Sequence, residues 1–279
     1  MNQAIEVGPL TLAYDRLLAV LFIWLFLALA ARWGRGAERQ GMEAAAWWAL
    51  GVGIVAARLG YVAQNSAAFG AQPWTIFAVW QGGFSVGWGV AVAAAAVIFI
   101  GRRRAIVGPL LLLLGALSFG QYVVHNLVAP PPRDFPNTLI FMDMAGQPVP
   151  IERMRGQAFV VNLWASWCGP CRREMPMMKD VASKSSVPIL FVNQGEDVGR
   201  VAAYLRAENM GDHHMLLDPF SQLGAVLGTQ ALPTTLFVSP DGQIISQHIG
   251  EISRAALMQG MEKAATHQAD GRNMAVDAR

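Results

Sequence analysis

Cys168 and Cys171 are the only cysteines in the 279 residues, and they stand three apart in "NLWASWCGPCRREMP", Asn162 to Pro176. A structural disulfide across so small a loop would restrain the unfolded chain very little. A zinc site wants four ligands, and there is no second cysteine pair to supply them. Elsewhere "HHM", 213–215, is the nearest approach to a soft-metal set; it reads as a polar loop before a short strand. Thiol exchange remains, and it needs a thiolate as attacker. A free cysteine has a pKa of about 8.5, so the site must lower it. The pattern predicts a helix from near Cys168 to about Lys184. Cys168 then sits at a helix N-terminus, where unpaired N–H groups and the positive dipole end favour its anion. Cys171 follows one turn deeper on the same face. Pro170 fits the first turn, where its missing N–H costs nothing. Cys168 is thus the expected attacker and Cys171 the resolving thiol.

The elements that must hold this pair are legible around it. "AFVVNLWA", 158–165, is an apolar, β-rich run expected as a central buried strand. "VPILFVNQ", 187–194, is a second, and 197–209 reads as a helix with Val198, Val201, Ala202 and Leu205 on one face. A short helix is expected at 219–228. "TTLFVSPDGQIISQHIG" is a hairpin turning at Pro240-Asp241-Gly242, and a last helix follows Ser253. "TLIFMDMAGQPVPI" gives two short strands around Ala145-Gly146. The domain is expected over 138–268, with a proline-rich linker at 129–137 and a disordered tail at 269–279.

Residues 1–128 are of another kind. They carry 8 Lys/Arg and 4 Asp/Glu, against 13 and 15 in residues 129–279. Four apolar segments are expected to span a bilayer: about Leu12–Ala31, Ala44–Ala63, Phe84–Ile100 and Ala105–Val128. "PWTIFAVW", 73–80, reads as an interfacial or re-entrant segment. Arg32, Arg35 and Arg39 follow the first span, and Arg102, Arg103 and Arg104 the third, whereas 64–83 has no Lys or Arg. The positive-inside rule puts both arginine loops in the cytoplasm, with the N-terminus and everything after Val128 outside. Cleavage after "ALAA", 28–31, would invert that order. Glu6 and Asp15 before the apolar run, and the arginines after it, argue against a signal peptide. The arginines therefore report topology, and no nucleic-acid footprint is present. Arg58 lies inside a span, where a charge is either functional or snorkels to the surface.

The strand, helix and motif order after residue 138 resembles the thioredoxin fold, with "WCGPC" (167–171) and "ALPTT" (231–235) as its markers. Within that superfamily, "NLWASWCGPCRREMP", "LLDPF" (216–220) and "LPTTLFVSPDGQI" (232–244) resemble the TlpA/ResA group of membrane-anchored thiol:disulfide oxidoreductases. The resemblance implies a cis-proline at Pro233, with Leu232 pairing through its backbone with the client. It implies that Trp167, Gly169 and Pro170 contact the client, and that Trp164 either walls the site or serves the core. It implies that Glu174 takes the Cys171 proton; a solvated carboxylate suited to the helix dipole is the plainer reading. Asn162 stands where thioredoxin has its buried aspartate.

The first 120 residues resemble prolipoprotein diacylglyceryl transferase through "VGPLTL" (7–12), "ARLGYV" (57–62), "FAVWQGGFS" (77–85) and "GRRR" (101–104). That family's histidine signature reads here as Val86 to Gly89 without histidine, and its later arginine run as Ser118 to Gln121. Arg58 matches a family arginine, but the transferase chemistry is not implied. The expected activity is reduction of client disulfides at the periplasmic face of a bacterial inner membrane, with no cofactor beyond the Cys168–Cys171 pair and no metal. Clients typical of the group are apocytochromes c and copper-site assembly proteins. No cysteine lies in the membrane half, so a separate electron donor of DsbD or CcdA type is implied. Oxidase or isomerase action, or copper handling by the same thiols, are the other readings.

Overall fold

The computed structural model describes residues 4–7, 10–33, 36–101, 104–128, 133–229 and 231–276. Arg35, Arg102 and Arg103, and linker residues 129–132, lie outside them. The chain divides into two compact units, one at Ile5–Ala129 and one from Pro130 onward.

In the first unit, β1 (Ala4–Val7) and β2 (Leu10–Ala13) pair as a two-stranded sheet. Helices α1 (Tyr14–Arg32), α2 (Ala37–Gln64) and α3 (Ser66–Gly70) follow. Two 3-10 turns, Pro73–Phe77 and Val79–Gln81, lead to α4 (Val86–Gly101) and α5 (Arg104–Val128). Small residues bring α2 and α4 together. A Cβ on Gly53 would lie 3.1 Å from both Ala93 Cβ and the Gly89 carbonyl oxygen, and one on Gly60 would come within 2.5 Å of Trp88.

Glu38–Gln64 of α2 and Ala105–Val124 of α5 are long and apolar enough to cross a membrane. Leu17–Arg32 and Val86–Gly101 are apolar but shorter. The sixteen residues of Val86–Gly101 reach about 24 Å, less than the ~30 Å of a hydrocarbon core. Of the expected first span, Leu12 and Ala13 belong to β2, and α1 takes over at Tyr14.

Arg58 is buried and does not snorkel; backbone carbonyls meet its guanidinium. Its Nε donates to Ile76 O (2.9 Å), Nη1 to Gly82 O (2.6 Å) and Gly83 O (2.9 Å), and Nη2 to Thr75 O (2.7 Å). The rings of Phe69 and Phe84 lie 5.3 and 5.8 Å from its guanidinium carbon. The arginine pins the irregular 73–83 segment to α2; it serves the carbonyls of Ile76, Gly82 and Gly83 and shares that of Thr75 with the Ala78 N–H.

The second unit contains β3 (Arg133–Asp134), β4 (Ile140–Asp143), β5 (Pro148–Pro150), a 3-10 turn at Ile151–Met154, β6 (Phe159–Trp164) and α6 (Gly169–Ala182). It continues with β7 (Ile189–Gln194), α7 (Val198–Ala207), β8 (Met215–Asp218) and α8 (Gln222–Leu227), then β9 (Thr234–Val238), β10 (Gln243–Ile249) and α9 (Arg254–Val276). The eight-stranded sheet has the order β3-β10-β9-β6-β7-β8-β4-β5. Strands β6, β7 and β8 are parallel, and β9 runs antiparallel to β6. Both faces are covered, so β6 and β7 are buried along their whole length and mostly apolar. Val160, Trp164, Ile189 and Phe191 face one core, with Met175 and Met178 of α6 and Leu257 and Met261 of α9. Val161, Leu163, Leu190 and Val192 face the other, with Leu223 of α8.

Two boundaries differ from the sequence reading. Arg133 and Asp134, expected in the linker, form β3 and pair with Ile244 and Gln243. The hairpin offers them a free edge, which proline content alone does not reveal. Residues 269–276, expected as disordered tail, continue α9 to Val276. No proline interrupts that run, and one glycine costs only about 1 kcal/mol in a helix.

Candidate active site

Parallel strands β6, β7 and β8 all end at one edge of the sheet, so the loops that follow them gather there. Strand β6 is buried along its whole length and stops at Trp164. Residues 165–168 then form a turn in which the Cys168 N–H donates to Ala165 O (3.1 Å). Cys168 is the N-cap of α6 in extended geometry, and its Sγ accepts from the Cys171 N–H at 3.2 Å. Helix α6 therefore starts one residue later than the sequence suggested and places the Cys171 N–H against the sulfur. The two sulfurs are joined at 2.05 Å, so the structure holds the oxidised form. Cys171 is fully buried, Cys168 is 5% exposed and Trp167 is 68% exposed. Access to the disulfide lies on the Cys168 side, beside the Trp167 indole. Trp164 is fully enclosed in the core that contains both cysteines, which settles it as packing.

Strand β9 brings the second loop alongside. Thr234 is paired with Leu163 and Thr235 with Asn162, so Pro233 precedes β9 beside the end of β6. The Leu232–Pro233 peptide bond is cis, and Pro233 O accepts from Gly250 N–H at 2.8 Å. Leu232 is partly buried between the two cores.

Glu174 is 3% exposed, so it is not a solvated first-turn carboxylate. Its Oε1 accepts from Asn162 Nδ2 (2.9 Å) and its Oε2 from the Ile252 N–H (2.8 Å). Burial pushes its pKa from 4.5 up to about 8, outweighing those two hydrogen bonds, which favour the ionised form. Asn162 also donates to Thr235 Oγ1 at 3.2 Å. Where thioredoxin has an acid, this chain has an amide that holds one. Beside Ile252, Glu251 is paired with Arg173 at 2.7 Å. Thr235, Ile252 and Glu251 were missed in the sequence: they come from β9 and the segment before α9, and only the pairing of β9 with β6 could have pointed to Thr235. No group of three or more His, Cys, Asp or Glu able to hold a metal occurs among the described residues.

A cysteine pair at a helix start, a buried carboxyl one turn further on and a cis-proline loop beside them make a thiol-exchange site. Comparison with known proteins agrees with that chemistry. Residues 132–247 match the AhpC/TSA family model. The chain is 31% identical over 166 residues to the thiol-disulfide oxidoreductase ResA of Geobacillus thermodenitrificans, covering 55% of this chain and 90% of that protein. The chain belongs to the ResA family of thiol-disulfide oxidoreductases.

The Bacillus subtilis ResA is 26% identical over 167 residues, covering 56% of this chain and 90% of its own. A solved thioredoxin-family thiol:disulfide interchange protein from Chlorobium tepidum is 20% identical, with a TM-score of 0.41 over 50% of this chain and 99% of that one. Residues 4–123 match the prolipoprotein diacylglyceryl transferase family model. This ResA-family chain is therefore an enzyme that exchanges thiols with the disulfides of client proteins, and its sequence begins with a region similar to prolipoprotein diacylglyceryl transferase.

Proposed function

We propose that the chain is a membrane-anchored reductase of client disulfides whose sheet domain faces the periplasm. The observation that carries the reading is the Cys168–Cys171 pair at the start of α6 with a buried Glu174 behind it. In the reduced form, the Cys168 thiolate attacks a client disulfide; one client sulfur leaves as a thiolate and a mixed disulfide remains. Cys171 gives its proton to Glu174 and attacks Cys168 Sγ. The second client sulfur leaves, and the enzyme is left with the disulfide seen here. Two electrons have passed to the client. Trp167, Gly169 and Pro170 border the attacking sulfur, and the Leu232 backbone pairs with the client beside Pro233.

The four apolar helices act as a multi-pass anchor, with the N-terminus and the sheet domain outside. Arginines such as Arg32 and Arg39 on the cytoplasmic side support that orientation. Clients of the apocytochrome c or copper-site assembly type suit a reductase in an oxidising compartment. A donor of DsbD or CcdA type must restore the dithiol, because residues 1–128 contain no thiol to carry electrons across. The test is the reduction potential of the full-length protein equilibrated with glutathione. The reading expects a value well below the roughly −120 mV of DsbA; a value near it would make the chain an oxidase. Reconstituted alone in liposomes, the protein is expected not to pass electrons from thioredoxin on the arginine-loop side to its own disulfide, and transfer would remove the need for a donor.

A further inference from the structure

We infer that Glu196 is a positioning residue for the thiol exchange: it clamps Ser166 and so fixes the turn that delivers Cys168 to the N-terminus of α6. Glu196 lies between β7 and α7 and is 4% exposed. Three donors converge on its carboxylate. The Ser166 N–H reaches Oε2 at 2.7 Å, the Ser166 hydroxyl reaches Oε1 at 2.6 Å, and Asn193 Nδ2 reaches Oε2 at 2.7 Å. The ion pairs found among the described residues do not include Glu196, so these donors answer its charge.

The local chain is built to aim it there. Gly195 adopts φ +75°, a conformation that favours glycine, and its N–H donates to Asp218 O at 3.0 Å. The chain therefore turns back toward β6 as soon as β7 ends. On the other side Asp197 caps α7, accepting from the Arg200 N–H at 3.0 Å. Glu196 is thus held between a fixed turn and a capped helix, and it is a firm support for what it binds.

What it binds is the first central residue of the turn closed by the Cys168 N–H on Ala165 O. The second central residue is the exposed Trp167. Removing the clamp would leave the Ser166 N–H without its partner and free the turn to relax. The 3.2 Å approach of Cys168 Sγ to the Cys171 N–H depends on that turn. This N–H would favour the thiolate in the reduced enzyme, so a relaxed turn raises the Cys168 pKa and slows attack. A role in stability alone would leave both unchanged in the folded protein.

The inference rests on Cys168 being the attacking thiol. Peptide mapping of the first alkylation adduct of the reduced wild-type protein tests that separately: label appearing first on Cys171 contradicts the attacker assignment whatever the Glu196 variants do. The clamp itself is tested in full-length protein by the pH profile of Cys168 alkylation in a Cys171→Ser background, and by insulin reduction with both cysteines present. Glu196→Ala is expected to move the alkylation midpoint up by about one pH unit and to slow insulin reduction by at least about tenfold. Glu196→Gln is expected to recover most of both. Its carbonyl oxygen can accept from the Ser166 N–H and Asn193, while its amide donates to a rotated Ser166 hydroxyl. A wild-type midpoint in folded Glu196→Ala, or a Glu196→Gln as impaired as Glu196→Ala, overturns the clamp. Where Glu196→Ala does not fold, Glu196→Gln/Ser166→Ala takes its place, since the amide then has no hydroxyl to donate to. The raised midpoint is expected in the double variant only, and equal midpoints in single and double overturn the inference.

Discussion

Glu174→Gln removes the carboxyl enclosed behind the disulfide and keeps its shape. The folded chain holds the Glu174 proton up to about pH 8, whereas an ordinary glutamate, as in the unfolded chain, releases it near 4.5. Stability from this group is therefore fully present below about pH 4.5 and is lost as pH rises toward 8, because the folded state binds the proton more tightly. At about 1.4 kcal/mol per pH unit, the full span is worth about 5 kcal/mol, an upper figure for a group that water can partly reach on local opening. Glutamine does not titrate, so the variant loses this slope. The assay is pulse proteolysis in urea of full-length oxidised protein, followed on the sheet domain between pH 4.5 and 9. Wild type is expected to lose several kcal/mol relative to Glu174→Gln over that range, with most of the change complete by pH 8. The same carboxyl predicts the kinetics: resolution by Cys171 should rise with pH to an inflection near 8 and, in Glu174→Gln, lose that inflection and about two orders of magnitude in rate. Stability curves that run parallel across the range would refute the buried, proton-holding Glu174, and with it the acceptor role.

Two further substitutions probe the helical unit. Arg58→Ala takes hydrogen bonds from the carbonyls of Thr75, Ile76, Gly82 and Gly83, at about 1.5–3 kcal/mol for each bond to a charged group. It is expected to expose the 73–83 segment to protease while leaving insulin reduction unchanged. A protease pattern like wild type would show that the arginine is not the pin. Gly60→Ala sets a methyl about where Trp88 already stands, 2.5 Å from its ring; overpacking of that kind costs about 1–3 kcal/mol. A lower thermal midpoint is expected in detergent, and an unchanged one would mean that α2 and α4 part easily.

The sheet domain was legible because its signals are local. The short, β-rich apolar runs at 158–165 and 187–194 read as doubly buried strands, and "WCGPC" between such a strand and a helix marks the thiols. Strand β3 was not legible, since two residues gain strand character only from the β10 edge they meet. Spacing brought Glu174 near the cysteines but could not say that it is enclosed; its partners are Asn162 and Ile252, from two other segments, with Thr235 in turn holding Asn162. Asn162 looked like a lost acid and is instead the donor that holds one. Glu196 carried no motif at all, because its meaning depends on two loops meeting at one edge of the sheet. Arg58 was correctly singled out as a charge in an apolar helix, but the carbonyls that hold it come from a segment 17 to 25 residues further on.

The central claim is that Cys168 attacks client disulfides and Cys171 releases them. Cys171→Ser in the full-length protein, expressed in its native membrane and quenched with acid, tests it most directly. The account expects mixed disulfides to accumulate on Cys168, sensitive to reductant and absent from Cys168→Ser. Accumulation in Cys168→Ser through Cys171, or none in either variant while wild type still reduces insulin, would contradict it.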